Sequence, residues 1–398
     1  MKKLLMASAA TALMAGAAHA EAHGDTIKIG IILGFTGPLE SITPAMASGA
    51  ELAMQEVNDA GGILEGMMIE PVRADSTCID AAAATTAAER LVTADGVAAI
   101  MGADCSGVTG AILANVAVPN GVVMISPSAT SPCLSTAEVN GLFFRTAPSD
   151  ARQGVIISDI LNDRGVTEVA LTYTNNDYGK GLADAFQAAY EAAGGTVTIS
   201  AAHEDGKADY SAEIGALASA GGEVLVVAGY LDQGGLGIIQ GALDSGAFDT
   251  FYLPDGMVGQ SIVDNIGDGL ATSYGALPGT DSDGAARFLE MATAAGFEGS
   301  TAFSPESYDA AALLMMGMAK AGSTDSAAVA ATIMDLANAP GEQILPGELG
   351  KALELIAAGQ DIDYVGATAV ELIGPGESAG NYREVNFEGS AINTVGFR

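Results

Sequence analysis

The sequence predicts an α/β protein built on parallel sheets. Short apolar runs of strand composition alternate with segments of helical period along most of the chain, the order that crossover helices between parallel strands produce. The alternation comes in two successive series, separated near residues 144–150 where Arg145-Thr146-Ala147-Pro148 breaks the pattern. A hydrophobic content of 49% supplies material for a core in each series and argues against disorder.

In the first series, strands are expected at 26–33, 67–74, 97–101 and 122–125. Between them lie helices at 41–60 (apolar at Leu52, Met54 and Val57), 81–93 and 108–117. The second series reads helix 152–164, strand 166–173, helix 179–193, strand 196–200, helix 211–220, strand 224–228, helix 233–245 and strand 250–253. After Leu277-Pro278-Gly279 the chain turns helical at 285–295, 305–321 and 327–336. Helices that cannot build their own sheet are expected to return and cover the first series. The tail from Gly366 is turn-rich and β-like, with Gly374-Pro375-Gly376 and Phe387-Glu388-Gly389.

Bulk properties narrow the function. Residues 1–20 read as an export signal: Lys2-Lys3, an apolar stretch at 4–18, and the small-x-small cleavage site Ala18-His19-Ala20. No Cys follows that site, so a lipid anchor is not expected, and the periplasm is the expected compartment. A net charge of −34 repels nucleic acid and anionic lipid. The absence of Trp argues against a sugar platform. With three scattered His, no metal-ligand set is visible. Cys78 and Cys105 each follow a strand, and adjacent parallel strands would bring their loops to one sheet edge. Export permits a disulfide between them, with Cys133 left as a buried or weakly exposed thiol.

Two strands empty into loops of small hydroxyl residues, Cys105-Ser106-Gly107 and Ser126-Pro127-Ser128-Ala129-Thr130. Ligands of open α/β sheets sit beyond the carboxyl ends of the strands, near helix N-termini. Hydroxyls and free N–H groups without Lys or His suit a small carboxylate and offer nothing to attack it. An enzyme would need a general base, but His23 follows the leader and His203 is expected in a polar loop. Neither a dinucleotide fingerprint nor a P-loop is present.

The order of several short motifs is more specific. Thr36-Gly37-Pro38 follows the first strand, and Gly49-Ala50-Glu51-Leu52-Ala53 and Val57-Asn58-Asp59-Ala60-Gly61-Gly62-Ile63 follow in turn. Ser126–Thr130, Phe144-Arg145-Thr146, Asp177-Tyr178-Gly179 and Ala228-Gly229-Tyr230 complete the set. The chain resembles the periplasmic substrate-binding proteins of ABC importers, of the leucine/isoleucine/valine-binding type. The resemblance implies the type I periplasmic binding fold, two Rossmann-like lobes with mainly parallel sheets joined by three crossing strands. Crossings are expected near Ala147, Gly279 and Ile362. Lobe 1 would then take 21–147 and 280–361, and lobe 2 would take 148–279 and 362–398.

It also implies a ligand set. Ser106 and Thr130 would bind an α-carboxylate, and Ser128 would offer its carbonyl to an α-ammonium. Tyr178 and Tyr230 would close over the ligand from the second lobe. Asp255, in Leu253-Pro254-Asp255-Gly256, would meet the ammonium where leucine-binding members carry Glu, and Asp150 would line the cleft. Ile42 stands where those members have a Tyr beside the side-chain pocket. The expected function is a monomeric receptor that delivers a small, most readily aliphatic, amino acid to an ABC permease without a cofactor. The alternatives are another small solute (an amide, urea or an aromatic acid) and a soluble sensor docking on a membrane receptor.

Overall fold

The computed structural model describes residues 26–398. The expected export segment and His23 lie outside the described residues. Strand β1 (Ile27–Leu33) is Ile-Lys-Ile-Gly-Ile-Ile-Leu, buried throughout from Ile29 onward. A strand this apolar on both faces belongs inside a parallel sheet covered by helices on both sides. It pairs in parallel with β2 (Ile69–Asp75) on one side and β3 (Ala99–Gly102) on the other. Next come β4 (Met124–Ser126) and β5 (Phe143–Pro148), also parallel. The crossovers are α1 (Thr43–Asp59), α2 (Ala81–Arg90) and α3 (Ser106–Ile112), which runs through a wider turn into α4 (Val118–Asn120). Asp80 caps α2 by accepting the N–H groups of Ala82 and Ala83.

The second sheet repeats the logic. It runs α5 (Asp150–Asp163), β6 (Glu168–Thr174), α6 (Asp177–Ala192), β7 (Thr196–His203), α7 (Ser211–Ala220) and β8 (Val224–Ala228). Then follow α8 (Gly234–Ser245), β9 (Phe251–Leu253), α9 (Gln260–Ile266) and β10 (Tyr274–Pro278). These strands lie in the order β10-β9-β8-β6-β7, all parallel.

The chain then returns through α10 (Asp283–Ala295), α11 (Ser304–Ala321) and α12 (Ser326–Leu336), and α11 packs on α1, β3, β4 and β5. Gly49 of α1 makes that approach possible, since a Cβ there would stand 2.4 Å from the Ser304 carbonyl oxygen. Beyond it, β11 (Glu342–Ile344), α13 (Leu349–Ala357) and β12 (Ile362–Tyr364) form a separate two-stranded parallel unit. Next, β13 (Leu372–Ile373) and β14 (Glu377–Ser378) extend the first sheet to β13-β14-β5-β4-β3-β1-β2. Last, β15 (Tyr382–Glu388) and β16 (Ala391–Phe397) add an antiparallel edge to the second.

The structure departs from the sequence reading at four places. The third crossing, expected at Ile362, falls between Ser378 and Tyr382: β12 pairs with β11, β13 and β14 join the first sheet, and β15 opens the return to the second. Strands of two or three residues carry no readable period, which explains the miss. His203 is not in a polar loop: it ends β7, and burial lowers its imidazole to about 4. Cys133 is exposed rather than buried. The Cys78–Cys105 disulfide is present, but β2 and β3 flank β1 instead of adjoining each other. The bridge therefore crosses the end of β1 at Gly34, where a Cβ would meet Asp104 Oδ2 at 2.9 Å and Cys78 Cβ at 3.0 Å.

Arg145 ties this sheet to its neighbouring loops. Its guanidinium pairs with Glu377 of β14 at 2.6 Å and donates to the carbonyls of Ala129 and Ser131 at 2.9 and 3.0 Å. Removing one partner of a buried ion pair leaves the other uncompensated. Arg145→Met is expected to cost about 3–5 kcal/mol, read as a lower urea midpoint at unchanged slope. A native chain should also show one fast-reacting thiol, lost in Cys133→Ser.

Candidate functional site

The first half of the site lies on the loops beyond β1, β3 and β4. Asp104 gathers them: its Oδ2 accepts the Gly34 N–H at 2.9 Å and its Oδ1 accepts the Ser76 hydroxyl at 3.0 Å. Burial raises its carboxyl, and those bonds hold it down. Ser106 opens α3, and its hydroxyl oxygen accepts the Ser131 N–H at 3.0 Å. The Ser106 O–H proton is thereby left to donate elsewhere. Ser128 spends its hydroxyl on the Asp104 carbonyl at 3.0 Å. Ser126 braces the same loop, donating to the Ala103 carbonyl at 2.6 Å and accepting the Ala129 N–H at 2.9 Å.

The second half comes from α6 and the loops after β8 and β9. Asn176 caps α6 by accepting the Gly179 N–H at 3.0 Å, which sets Tyr178 in its first turn. The Tyr178 ring stacks on Tyr230 with centroids 5.1 Å apart and planes 13° from parallel. Its hydroxyl donates to Asp255 Oδ1 at 2.6 Å, and the Gly256 N–H points at the same oxygen from 2.7 Å. Burial raises the Asp255 carboxyl above the ordinary range, while these bonds and the neighbouring Gln153 hold it down. Burial, then the Asp255 charge, pushes the Tyr178 phenol well up.

Five of the residues singled out from the sequence, Ser106, Ser128, Tyr178, Tyr230 and Asp255, line one cleft. Thr130 and Asp150 do not line it. They are buried, and the Thr130 carbonyl accepts the Asp150 N–H at 2.9 Å. The Thr130 hydroxyl and both Asp150 carboxylate oxygens lack a well-formed hydrogen bond. Burial, then the Asp255 charge, raises the Asp150 carboxyl well above its usual value. The cleft also has walls that motif reading missed, Leu39 and Phe303. Ile42, expected beside the pocket, is buried outside this lining, with its side chain toward Gly259.

The cleft is shut, with about 10 Å³ of free space. Asp232 holds it closed: its Oδ2 accepts the Ser41 N–H at 2.9 Å and its N–H donates to the Pro38 carbonyl at 3.1 Å. The Ser131 hydroxyl reaches the Asp177 carbonyl at 2.9 Å. A molecule the size of an amino acid enters only when these contacts part. The lining offers a hydroxyl donor at Ser106 and an anion at Asp255, and contains no Lys, Arg or His. Such a surface can hold a small molecule with an anionic and a cationic end.

A carboxyl whose value is raised in the folded chain favours folding while protonated, and that stability is lost as pH rises through the folded value. As pH rises from the ordinary carboxylate range through the raised value of Asp150, unfolding midpoints should fall for the wild type. Asp150→Asn should flatten that fall, because its amide has no proton to lose. An unchanged slope would show that Asp150 ionises as freely as in an unfolded chain.

Residues 26–348 match the profile of a periplasmic binding protein family. A Leu/Ile/Val-binding protein homolog of Brucella melitensis is 33% identical over 346 residues, covering 83% of this chain and 88% of that protein. The branched-chain amino acid transporter substrate-binding protein of Streptococcus pneumoniae, solved with isoleucine, superposes with a TM-score of 0.78 at 24% identity, over 94% of this chain and 99% of that one. A solute-binding protein of R. palustris, solved with benzoate, shares the fold at a TM-score of 0.74 and 18% identity, over 94% and 96%. With two seven-stranded, mostly parallel sheets whose loops meet at one cleft, this chain belongs to the periplasmic binding protein family and is homologous to members named for Leu/Ile/Val binding.

Proposed function

We propose that the protein is a periplasmic receptor that binds an aliphatic α-amino acid between its lobes and delivers it to an ABC permease. The observation that carries this reading is the pairing in one cleft of the Ser106 hydroxyl with the buried Asp255 carboxylate, with no basic side chain in the lining. Ser106, with Thr130 behind it, takes the ligand carboxylate, and the Ser128 carbonyl and Asp255 take the ammonium. The ammonium replaces the Tyr178 hydroxyl at Asp255, and Tyr178 and Tyr230 then cover the ligand. Asp150 adds negative potential from behind. A relative named for Leu, Ile and Val supports an aliphatic side chain. The fold neighbour solved with benzoate makes an aromatic acid the second reading, but a plain acid leaves Asp255 buried without a cation.

Titration calorimetry with leucine and its des-amino analogue separates the two readings. Asp255→Asn is expected to cost leucine about 2–5 kcal/mol, as when a buried charge pair is broken, and to cost the des-amino acid far less. Equal losses, or tighter binding of the plain acid by the wild type, would overturn the amino-acid reading. Closure is tested separately at Asp232, which lies outside the cleft lining. Asp232→Ala should weaken leucine by about 1 kcal/mol, one lost hydrogen bond, and enlarge the unliganded chain in small-angle scattering.

A further inference from the structure

Beside the segments that cross between the lobes lies a second cavity, of about 140 Å³. Its walls are the crossing segment at Pro278, Gly279 and Thr280, the start of α11, and side chains of β15 and β16. Only Phe303 lines both this cavity and the cleft. Its backbone holds φ at +62°, a left-handed conformation that an aromatic residue adopts only where its surroundings impose it. Phe303 is thus a wall shared by the two cavities.

An acidic and a basic side chain face the second chamber without forming an ion pair. Glu306, in the first turn of α11, is 2% exposed and lines this space; its carboxyl meets its own backbone N–H and has no ion-pair partner among the described residues. Arg383 of β15 donates one Nη2–H to the Ser300 carbonyl at 2.7 Å and meets no carboxylate at ion-pair distance among the described residues. A buried carboxyl is costly to ionise without a cation beside it. The guanidinium fork matches a carboxylate, and a carboxylate facing the same space matches an ammonium. Leu289, Ala302 and Phe397 supply an apolar wall between them.

We propose that this hinge cavity is a second binding site for a small α-amino acid, its carboxylate on Arg383 and its ammonium on Glu306. The site is separate from the cleft and does not depend on the identity of the cleft ligand. Glu306 rides on the helix that covers the first sheet, and Arg383 belongs to the second. A zwitterion between them ties the lobes together, so occupancy of the cavity and closure of the cleft favour each other reciprocally. Burial pushes the Glu306 carboxyl up to about 8, opposed by its own backbone N–H and by Arg383, with Asp309 on the same helix and Asp255 from the second lobe adding to the rise. Burial also lowers Arg383, against Glu306 and Glu298. Binding an ammonium needs the ionised carboxylate, so affinity at this site rises with pH through that value.

The test is equilibrium dialysis of the full chain with labelled leucine and labelled alanine at millimolar concentration. For at least one probe, two molecules are expected per wild-type chain, one per Ser106→Ala/Asp255→Asn chain, and one per Glu306→Gln or Arg383→Met chain. Arg383→Lys, which keeps the charge without the fork, should retain the second molecule more weakly and guards against a folding defect in the Met variant. In the Ser106→Ala/Asp255→Asn chain, the remaining site should weaken about tenfold or more from about pH 8 to about pH 6. One molecule per wild-type chain that the Glu306 variant keeps, two molecules in the Glu306 variant, or an affinity flat across that pH range would each overturn the proposal. A single molecule lost in Glu306→Gln but kept in Ser106→Ala/Asp255→Asn would sustain it and overturn the cleft reading instead.

Discussion

Asp150 and Asp255 place two carboxylates in one buried region, and the rest of the site is organised around a charge they cannot comfortably share. Both carboxyls are raised by burial, and the Asp255 charge raises Asp150 further. Water, which screens like charges at a surface, is largely excluded from a cleft this narrow. Arg145 acts on Asp150 from a distance, but its guanidinium is already engaged by Glu377, Ser135 and two carbonyls. Asp255 is relieved by neutral donors, Tyr178, the Gly256 N–H and Gln153. A cation entering the cleft does what none of these can.

The opposing half of the cleft is held stiff by short connections between loops that are far apart in sequence. The Cys78–Cys105 bridge and Asp104 bind the ends of β1, β2 and β3 into one unit. Ser126, Ser128 and Arg145 add the loop after β4 to it. The Ser106 hydroxyl, fixed by the Ser131 N–H, is therefore set in place by backbone geometry rather than by its own rotamer preference. With this floor rigid, the movable parts are the contacts between lobes at Asp232 and Asp177. For the proposed ligand, preorganised donors of this kind lower the order lost at capture.

The two α/β series were legible because each parallel strand is buried on both faces and reads as an unbroken apolar run, as at β1 and β8. The hydroxyl loops were legible because they follow such strands directly. Their cleft neighbours were not: Leu39 and Phe303 are ordinary apolar residues whose position is decided by tertiary packing. Thr130 and Asp150 were placed one layer too far forward, since a motif gives order along the chain and not depth in a cavity. The third crossing was lost for a related reason. Strands β12 to β14 are two or three residues long, and their partners, β11 and β5, lie earlier in the chain.

Helix α11 connects these layers. It is buried from Ser304 to Met318 apart from Pro305, lies against α1 at Gly49, and carries Asp309. Asp309 accepts from Tyr364, Ala367 and Thr368, with burial lifting its carboxyl to about 6. So anchored, α11 is tied to the segment 364–368 as well as to α1 and the first sheet. Its N-terminal end meets the first crossing, where the Thr146 hydroxyl donates to the Glu306 carbonyl at 2.8 Å. With the cleft shut, Asp255 adds to the rise of Glu306 on α11. Like charges converging in a low-dielectric seam resist closure, and an ammonium lodged between the lobes reverses the sign of that interaction. In this arrangement the charge of the proposed ligand is itself part of the latch.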